Sequence, residues 1–236
     1  IGAILFAVFS VVAIAYTSSA SAEVISIGDS YSSGEGSGSY DGNTKLAPLG
    51  DGCHRSPNAW PRLLGATEET HLACSGATTY NFFLPQKPND NQAGDAYSQL
   101  ARLKYLVANS PISTVYATFG GNDIGFADII KDCYLNIRTS CLGRMGSVEI
   151  PKIQKDMRNA VATVLAAAKK ESGGANVVLV GYPDIVPAPG RPEDCGWLDT
   201  TEKRRVADLE YELDTALSRA AEAAGVAYVS IRSALK

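Results

Sequence analysis

The chain has 236 residues, 45% of them hydrophobic and 19% charged, with a formal net charge of −4 at pH 7. That balance fills one ordinary globular core. It argues against nucleic acid as a partner, because phosphate contact needs clustered Lys and Arg and no basic patch or long charge run is present.

Residues Ile1 to Tyr16 are almost wholly apolar, and Thr17-Ser18-Ser19-Ala20-Ser21-Ala22 follows with an A-x-A cleavage signal. The apolar run is too short to favour a membrane span, so residues 1–22 are expected to be a secretory signal peptide. Its basic n-region and initiator Met are missing, so the signal is expected to be incomplete at its N-terminus. Residues 23–236 then form one domain that is secreted and extracellular, without a stable membrane anchor, and expected to be monomeric.

Val24-Ile25-Ser26-Ile27 predicts a buried first strand ending at Gly28. Residues Ser32 to Asp51 are rich in Gly, Ser, Asn and Asp and predict a long loop. Pro57 to Leu64 predicts a short helix capped by Ser56. A second strand is expected over Thr70 to Ala73, a loop over Thr79 to Asp95, and a helix over Ala96 to Ala108 with Leu100, Leu103 and Val107 on one face. Ser113 to Phe119 predicts a strand stopped by Gly120-Gly121, and Cys133 to Gly146 an irregular excursion. Glu149 to Glu171 predicts a long amphipathic helix closed by Gly173-Gly174. Val177-Val178-Leu179-Val180 reads as a central parallel strand. Pro183 to Asp199 predicts a loop, and a helix capped by Thr200 or Thr201 runs to about Ala224. Val226 to Ile231 is the last strand. This alternation predicts a three-layer α/β/α sandwich around a mainly parallel five-stranded sheet. Active sites in such sheets lie beyond the carboxyl ends of the strands.

Five cysteines occur: Cys53, Cys74, Cys133, Cys141 and Cys195. An exported chain can form disulfides. No C-x-x-C is present and only two histidines exist, so no zinc site is expected. The odd count leaves one cysteine without a partner.

Three strand-end segments carry the chemistry: Gly28-Asp29-Ser30-Tyr31-Ser32-Ser33-Gly34, Cys74-Ser75-Gly76-Ala77 and Gly120-Gly121-Asn122-Asp123. Together they offer a hydroxyl, backbone amides freed by glycine, and one side-chain amide. Ester hydrolysis needs a hydroxyl to attack the carbonyl and donors for the oxyanion that develops. Ser30 can attack, and the amides of Ser30 and Gly76 with the Asn122 side chain can be the donors. Asp29 and Asp123 read as loop-stabilising groups.

These three blocks, in this order, resemble the SGNH (GDSL-type) hydrolase superfamily. The extended Gly-Asp-Ser-Tyr-Ser-Ser-Gly-Glu-Gly run, Cys53-His54-Arg55-Ser56-Pro57-Asn58 and Ala73-Cys74-Ser75-Gly76-Ala77 are similar to its secreted actinobacterial lipase and esterase branch. The resemblance covers essentially the whole mature chain. It implies a flavodoxin-like fold, Ser30 as nucleophile, an oxyanion hole of Ser30, Gly76 and Asn122, and neither metal nor organic cofactor. It also implies disulfides Cys53–Cys74 and Cys133–Cys141, leaving Cys195 unpaired in this chain. The expected substrate is a lipid or small-molecule ester. Phe82, Phe83, Leu84 and Tyr134 are candidates to line the acyl pocket, with burial in the core as the other reading.

The family's base lies in a C-terminal Asp-x-x-His block, and no histidine follows His71. Truncation at the C-terminus, with the catalytic histidine beyond the chain, is the expectation, and a partner for Cys195 would be lost with it. Use of His54 as base and a catalytically dead protein are the alternatives. His71 reads as a packing or surface residue, and neither Asp184 nor Asp194 is singled out as an orienting acid. A non-catalytic secreted lipid or carbohydrate binder on the same scaffold is the competing function.

Overall fold

Short β-branched segments build one sheet, and its inward positions follow the two-residue period of a strand. A computed structural model describes residues 22–42, 52–86, 97–126, 129, 149–185 and 198–234. The strands are β1 (Glu23–Gly28), β2 (Ala66–His71), β3 (Ile112–Thr118), β4 (Asn176–Val180) and β5 (Ala227–Val229). All pair in parallel, in the order β2-β1-β3-β4-β5.

Ile25 and Ile27, Val115 and Ala117, and Val177 and Leu179 bury on one face of the sheet. There they meet Leu103 of helix α4 (Gln99–Asn109), Val161 and Leu165 of α5 (Ile150–Glu171), and Leu209 and Leu213 of α6 (Thr200–Ala224). Tyr116 points the other way, and the Trp60 ring of α2 (Trp60–Leu63) meets it edge-on at 5.5 Å between centroids. Helices therefore lie on both sides of the sheet, and the expected α/β/α order holds.

Several boundaries differ for identifiable reasons. The first described helix, α1 (Ser30–Ser33), takes the start of the expected loop. Only Trp60–Leu63 of the expected 57–64 helix is helical, because Ser56 does not cap it. Its hydroxyl donates to the Gly38 carbonyl at 2.6 Å and accepts from Asn58 N at 3.1 Å, which makes a local turn. Strand β2 starts earlier than expected: it is an edge strand, and Thr67, Glu68 and Glu69 are exposed there. Polar residues on an edge hide a strand from a hydrophobicity reading. Part of the expected 79–95 loop is helix α3 (Thr79–Phe83), because Thr78 and Asn81 cap each other.

Ser98 caps α4 by accepting from Ala101 N at 3.1 Å. Helix α5 is interrupted: Ile150–Lys152 passes through a wider π-helical turn, Ile153–Met157, into Arg158–Glu171. Both Ile153 and Met157 are buried, and a Cβ on Gly120 would stand 2.8 Å from the Met157 sulfur. The turn thus sits against the strand end that leads to Asn122. Asp199, rather than Thr200 or Thr201, caps α6. Its carboxylate accepts from Thr201 N at 2.7 Å and Glu202 N at 2.8 Å, and Glu202 reaches back to Asp199 N at 3.1 Å.

Residues 1–21 of the expected signal peptide lie outside the described residues, as do Cys133, Cys141, Cys195, Tyr134 and Asp194. No helix among the described residues is long and apolar enough to cross a membrane.

Candidate active site

Strand β1 is flanked by β2 on one side and β3 on the other, so the connections leaving β1 and β3 diverge and leave a crevice at their carboxyl ends. Gly28 and Thr118 end those strands. Gly28 has φ of +137°, and a Cβ there would stand 2.5 Å from the Thr118 carbonyl oxygen, so only glycine fits. The Gln99 amide, from the first turn of α4, holds Gly28 from both sides. Gly28 N donates to Oε1 at 2.7 Å, and Nε2 donates to the Gly28 carbonyl at 2.9 Å.

The chain then enters α1, with Ser30 as its first residue and Asp29 as its cap. A first-turn amide such as Ser30 N–H has no intrahelical acceptor. Asp29 Oδ1 accepts from Tyr31 N at 3.1 Å and from the Thr118 hydroxyl at 3.0 Å, while Oδ2 accepts from the Tyr182 hydroxyl. Ser30 opens onto a cleft of about 390 Å³ shared with Asn122, Tyr31, Glu35, Phe126 and Tyr182.

The turn bearing Gly76 comes next to this cleft through three ties. A disulfide joins Cys53 to Cys74, as the resemblance implied. Closing a loop of sequence separation 21 stabilises the fold by about 3 kcal/mol. The carboxylate of Glu35 collects both arms of that bridge: Oε2 accepts from the Ser75 hydroxyl at 2.5 Å and lies 2.7 Å from His54 Nδ1. The third tie is Asn122, whose Nδ2 donates to the Ala77 carbonyl at 2.9 Å. Ser30 and Asn122 thus both line the cleft. Gly76, with φ of +76°, lies in the adjoining turn and is not among the lining residues.

Asp123 accepts from Thr79 N and the Thr79 hydroxyl, which makes it a loop-stabilising group as expected. Of the acyl-pocket candidates, Phe82 takes the other expected place, in the core, and neither Phe83 nor Leu84 is among the cleft-lining residues. Phe82 is fully buried against Phe119, and Phe83 and Leu84 face solvent. The apolar wall of the cleft comes instead from Tyr31, Phe126, Tyr182 and Ile185. Sequence reading missed Gln99, Glu35 and Tyr182, since each acts on a segment far away in the chain. The only signal for Tyr182 was an aromatic residue directly beyond a central strand.

Among the described residues neither histidine hydrogen-bonds Ser30. His71 is fully buried, with Nε2 2.8 Å from the Ser32 carbonyl. His54 stacks on Tyr40 and holds Glu35, and among the described residues its buried Nε2 has no hydrogen-bond partner. Asp184 is held by Arg232, with Nε 2.7 Å from Oδ1.

Two buried groups near the turn shift in opposite directions. Burial pushes Asp29 up from 3.8 to about 6, against the bonds from Tyr182, Thr118 and Tyr31. Burial pushes His71 down from 6.5 to about 4, against its bond to Ser32. The stability that Asp29 contributes is present in full below pH 3.8 and is lost as pH rises through about 6. The contribution of His71 is present in full above pH 6.5 and is lost as pH falls through about 4. Each amounts to about 3 kcal/mol, so across this window the two cancel. Asp29→Asn is expected to unmask His71: urea unfolding should show about 3 kcal/mol lost between pH 6.5 and 4, with a much flatter wild-type profile. Parallel profiles for the two proteins would contradict this.

A parallel sheet whose switch-point cleft presents a strand-end serine beside an asparagine has the architecture of a carboxylic ester hydrolase. Residues 26–236 match the GDSL-like lipase/acylhydrolase family, and the chain belongs to it. It is 31% identical over 214 residues to Lipase 1 of Streptomyces coelicolor, covering 89% of this chain and 69% of that protein. It is 33% identical over 165 residues to a lipase of Streptomyces rimosus, covering 68% of this chain but only 52% of that protein. Among solved structures it resembles phospholipase A1 from Streptomyces albidoflavus NA297, with a TM-score of 0.70 and 30% identity, covering 90% of this chain and 80% of that one. The extracellular lipase of Streptomyces rimosus gives a TM-score of 0.69 at 28% identity, covering 90% and 81%.

Proposed function

We propose that the protein is a secreted esterase or lipase that hydrolyses carboxylic esters through an acyl-enzyme on Ser30. The observation that carries this reading is the shared cleft of Ser30 and Asn122, with the Gly76 turn tied to Asn122 through Ala77. Ser30 Oγ bonds to the carbonyl carbon while a general base takes its proton, and the carbonyl oxygen becomes an oxyanion. The amides of Ser30 and Gly76 and the Asn122 side chain stabilise that charge. Collapse expels the alcohol, which takes up the proton, and water then releases the acid by the same route. Among the described residues neither histidine hydrogen-bonds Ser30: His54 Nδ1 faces Glu35, and His71 Nε2 faces the Ser32 carbonyl. The apolar wall of Tyr31, Phe126 and Ile185 suits an acyl chain, and the relatives are named lipases and a phospholipase A1.

A fluorophosphonate probe tests the reading on the protein expressed from its complete gene. Covalent labelling at Ser30, found by peptide mass spectrometry, together with release of p-nitrophenol from acyl esters, is the expected result. A protein that binds lipid but neither labels nor turns over ester is a non-catalytic binder.

A further inference from the structure

The Tyr182 hydroxyl stands between two of the turns that carry the chemistry. It donates to Asp29 Oδ2 on the Ser30 side and accepts from Gly121 N at 3.2 Å on the Asn122 side. Tyr182 follows β4, where Gly181 N donates to the Val229 carbonyl at 2.9 Å, so the ring is carried by the sheet rather than by either turn. The ring also packs against Tyr31 at 5.8 Å between centroids. Asp29 and Tyr182 exchange a bond across 153 positions of sequence, which no local propensity supplies.

A second, independent observation comes from Gly121. Its φ of −58° and ψ of −47° are ordinary right-handed helical values that any residue adopts. The need for glycine is spatial: a Cβ would stand 3.3 Å from both Cζ and the hydroxyl oxygen of Tyr182. The two glycines of this block thus serve different partners, since Gly120 makes room for Met157 and Gly121 for Tyr182.

We propose that Tyr182 is a positioning residue for ester hydrolysis, its hydroxyl fixing the Ser30 turn and the Asn122 turn at the separation at which their donors converge on one oxyanion. The proposal rests on the ester-hydrolase reading above. Oxyanion donors act by preorganisation, so a small misplacement costs rate rather than substrate binding. Losing the hydroxyl leaves Gly121 N–H and Asp29 Oδ2 each without this buried partner, and either turn is then free to relax alone.

The pH profile reads the same contact. Among the described residues, the titratable groups facing Asp29 are Tyr182, which donates to it, and Asp123, whose negative charge raises it. Thr118 and Tyr31 N are its neutral donors. The bond from Tyr182 favours the carboxylate, so removing it moves protonation of Asp29 to higher pH.

Tyr182→Phe keeps the ring and deletes the hydroxyl. In the complete protein it should lower kcat about 10- to 100-fold with KM changed less than about threefold, and shift the acid limb of kcat/KM upward. Gly121→Ala should reproduce the kcat loss, and the double variant should lose no more than either alone. Tyr228→Phe is the control, a half-buried tyrosine bonded to Asp214 outside the cleft lining. It should lower the melting temperature and leave kcat and the acid limb in place. A Tyr182→Phe enzyme whose kcat and pH profile match those of Tyr228→Phe would overturn the proposal. Absence of ester turnover in the wild type would instead sink the functional reading. A crystal structure of Tyr182→Phe then decides the positioning claim: displacement of Gly121–Asn122 relative to Ser30 supports it, and superposition on the wild type overturns it.

Discussion

Ser30→Ala is expected to lower kcat by about 10⁶-fold while leaving the melting temperature unchanged, because a serine hydrolase without its nucleophile keeps only its binding and oxyanion contributions. The bonds that hold the Ser30 turn use its carbonyl, which accepts from the Ser33 hydroxyl and from Gly34 N, both at 3.1 Å. The fold therefore does not depend on the Ser30 hydroxyl. The neighbouring serines are already committed. Ser32 is buried with its hydroxyl 2.8 Å from that of Thr118, Ser33 is buried on the Ser30 carbonyl, and Ser75 donates to Glu35. Of these four, only Ser30 lines the cleft. Stopped assays with a soluble acyl ester, paired with thermal melts, check this. A variant that keeps more than about a hundredth of wild-type kcat would move the nucleophile elsewhere, whereas Ser33→Ala should lose stability and remain an active enzyme.

The site was legible in the sequence where it depends on strand ends, and illegible where it depends on long-range side chains. β-branched runs closed by glycine placed Ser30 and Asn122 at one edge of the sheet, since parallel strands bring their carboxyl ends together. The strands sit within a few residues of their expected positions because inward positions such as Ile25, Ile27, Val115 and Ala117 bury completely. What failed was local hydrogen-bond competition: Ser56 looks like a helix cap and instead bonds Gly38, while Thr78 and Asn81 make a helix in a segment that reads as loop. The tether of Gly28 to Gln99 and that of Glu35 to both arms of the disulfide join distant residues, and no pattern of spacing encodes them. The exposed Phe83 and Leu84 show the converse: a hydrophobic side chain in a segment near the site need not face it.

Asn122→Ala is expected to lower kcat by about 10²- to 10³-fold with little change in KM, the cost of one oxyanion donor that acts mainly in the transition state. One N–H of the Asn122 amide is spent on the Ala77 carbonyl at 2.9 Å, which fixes the plane of the group. An NH₂ carries two protons, so the second remains to donate into the cleft. The same bond couples Asn122 to the Gly76 turn, and truncation to alanine therefore loosens a second donor as well as deleting the first. Asn122→Asp separates the two effects. A carboxylate keeps the size of the side chain but sets a negative charge against both the Ala77 carbonyl and the oxyanion, so it should be slower than the alanine variant, and its deficit should shrink as pH falls. Single-turnover acylation measured beside steady-state rates locates the loss in the chemical step. If Asn122→Ala costs less than about tenfold there, the amide serves only to hold Ala77, and the oxyanion is carried by the backbone amides of Ser30 and Gly76 alone.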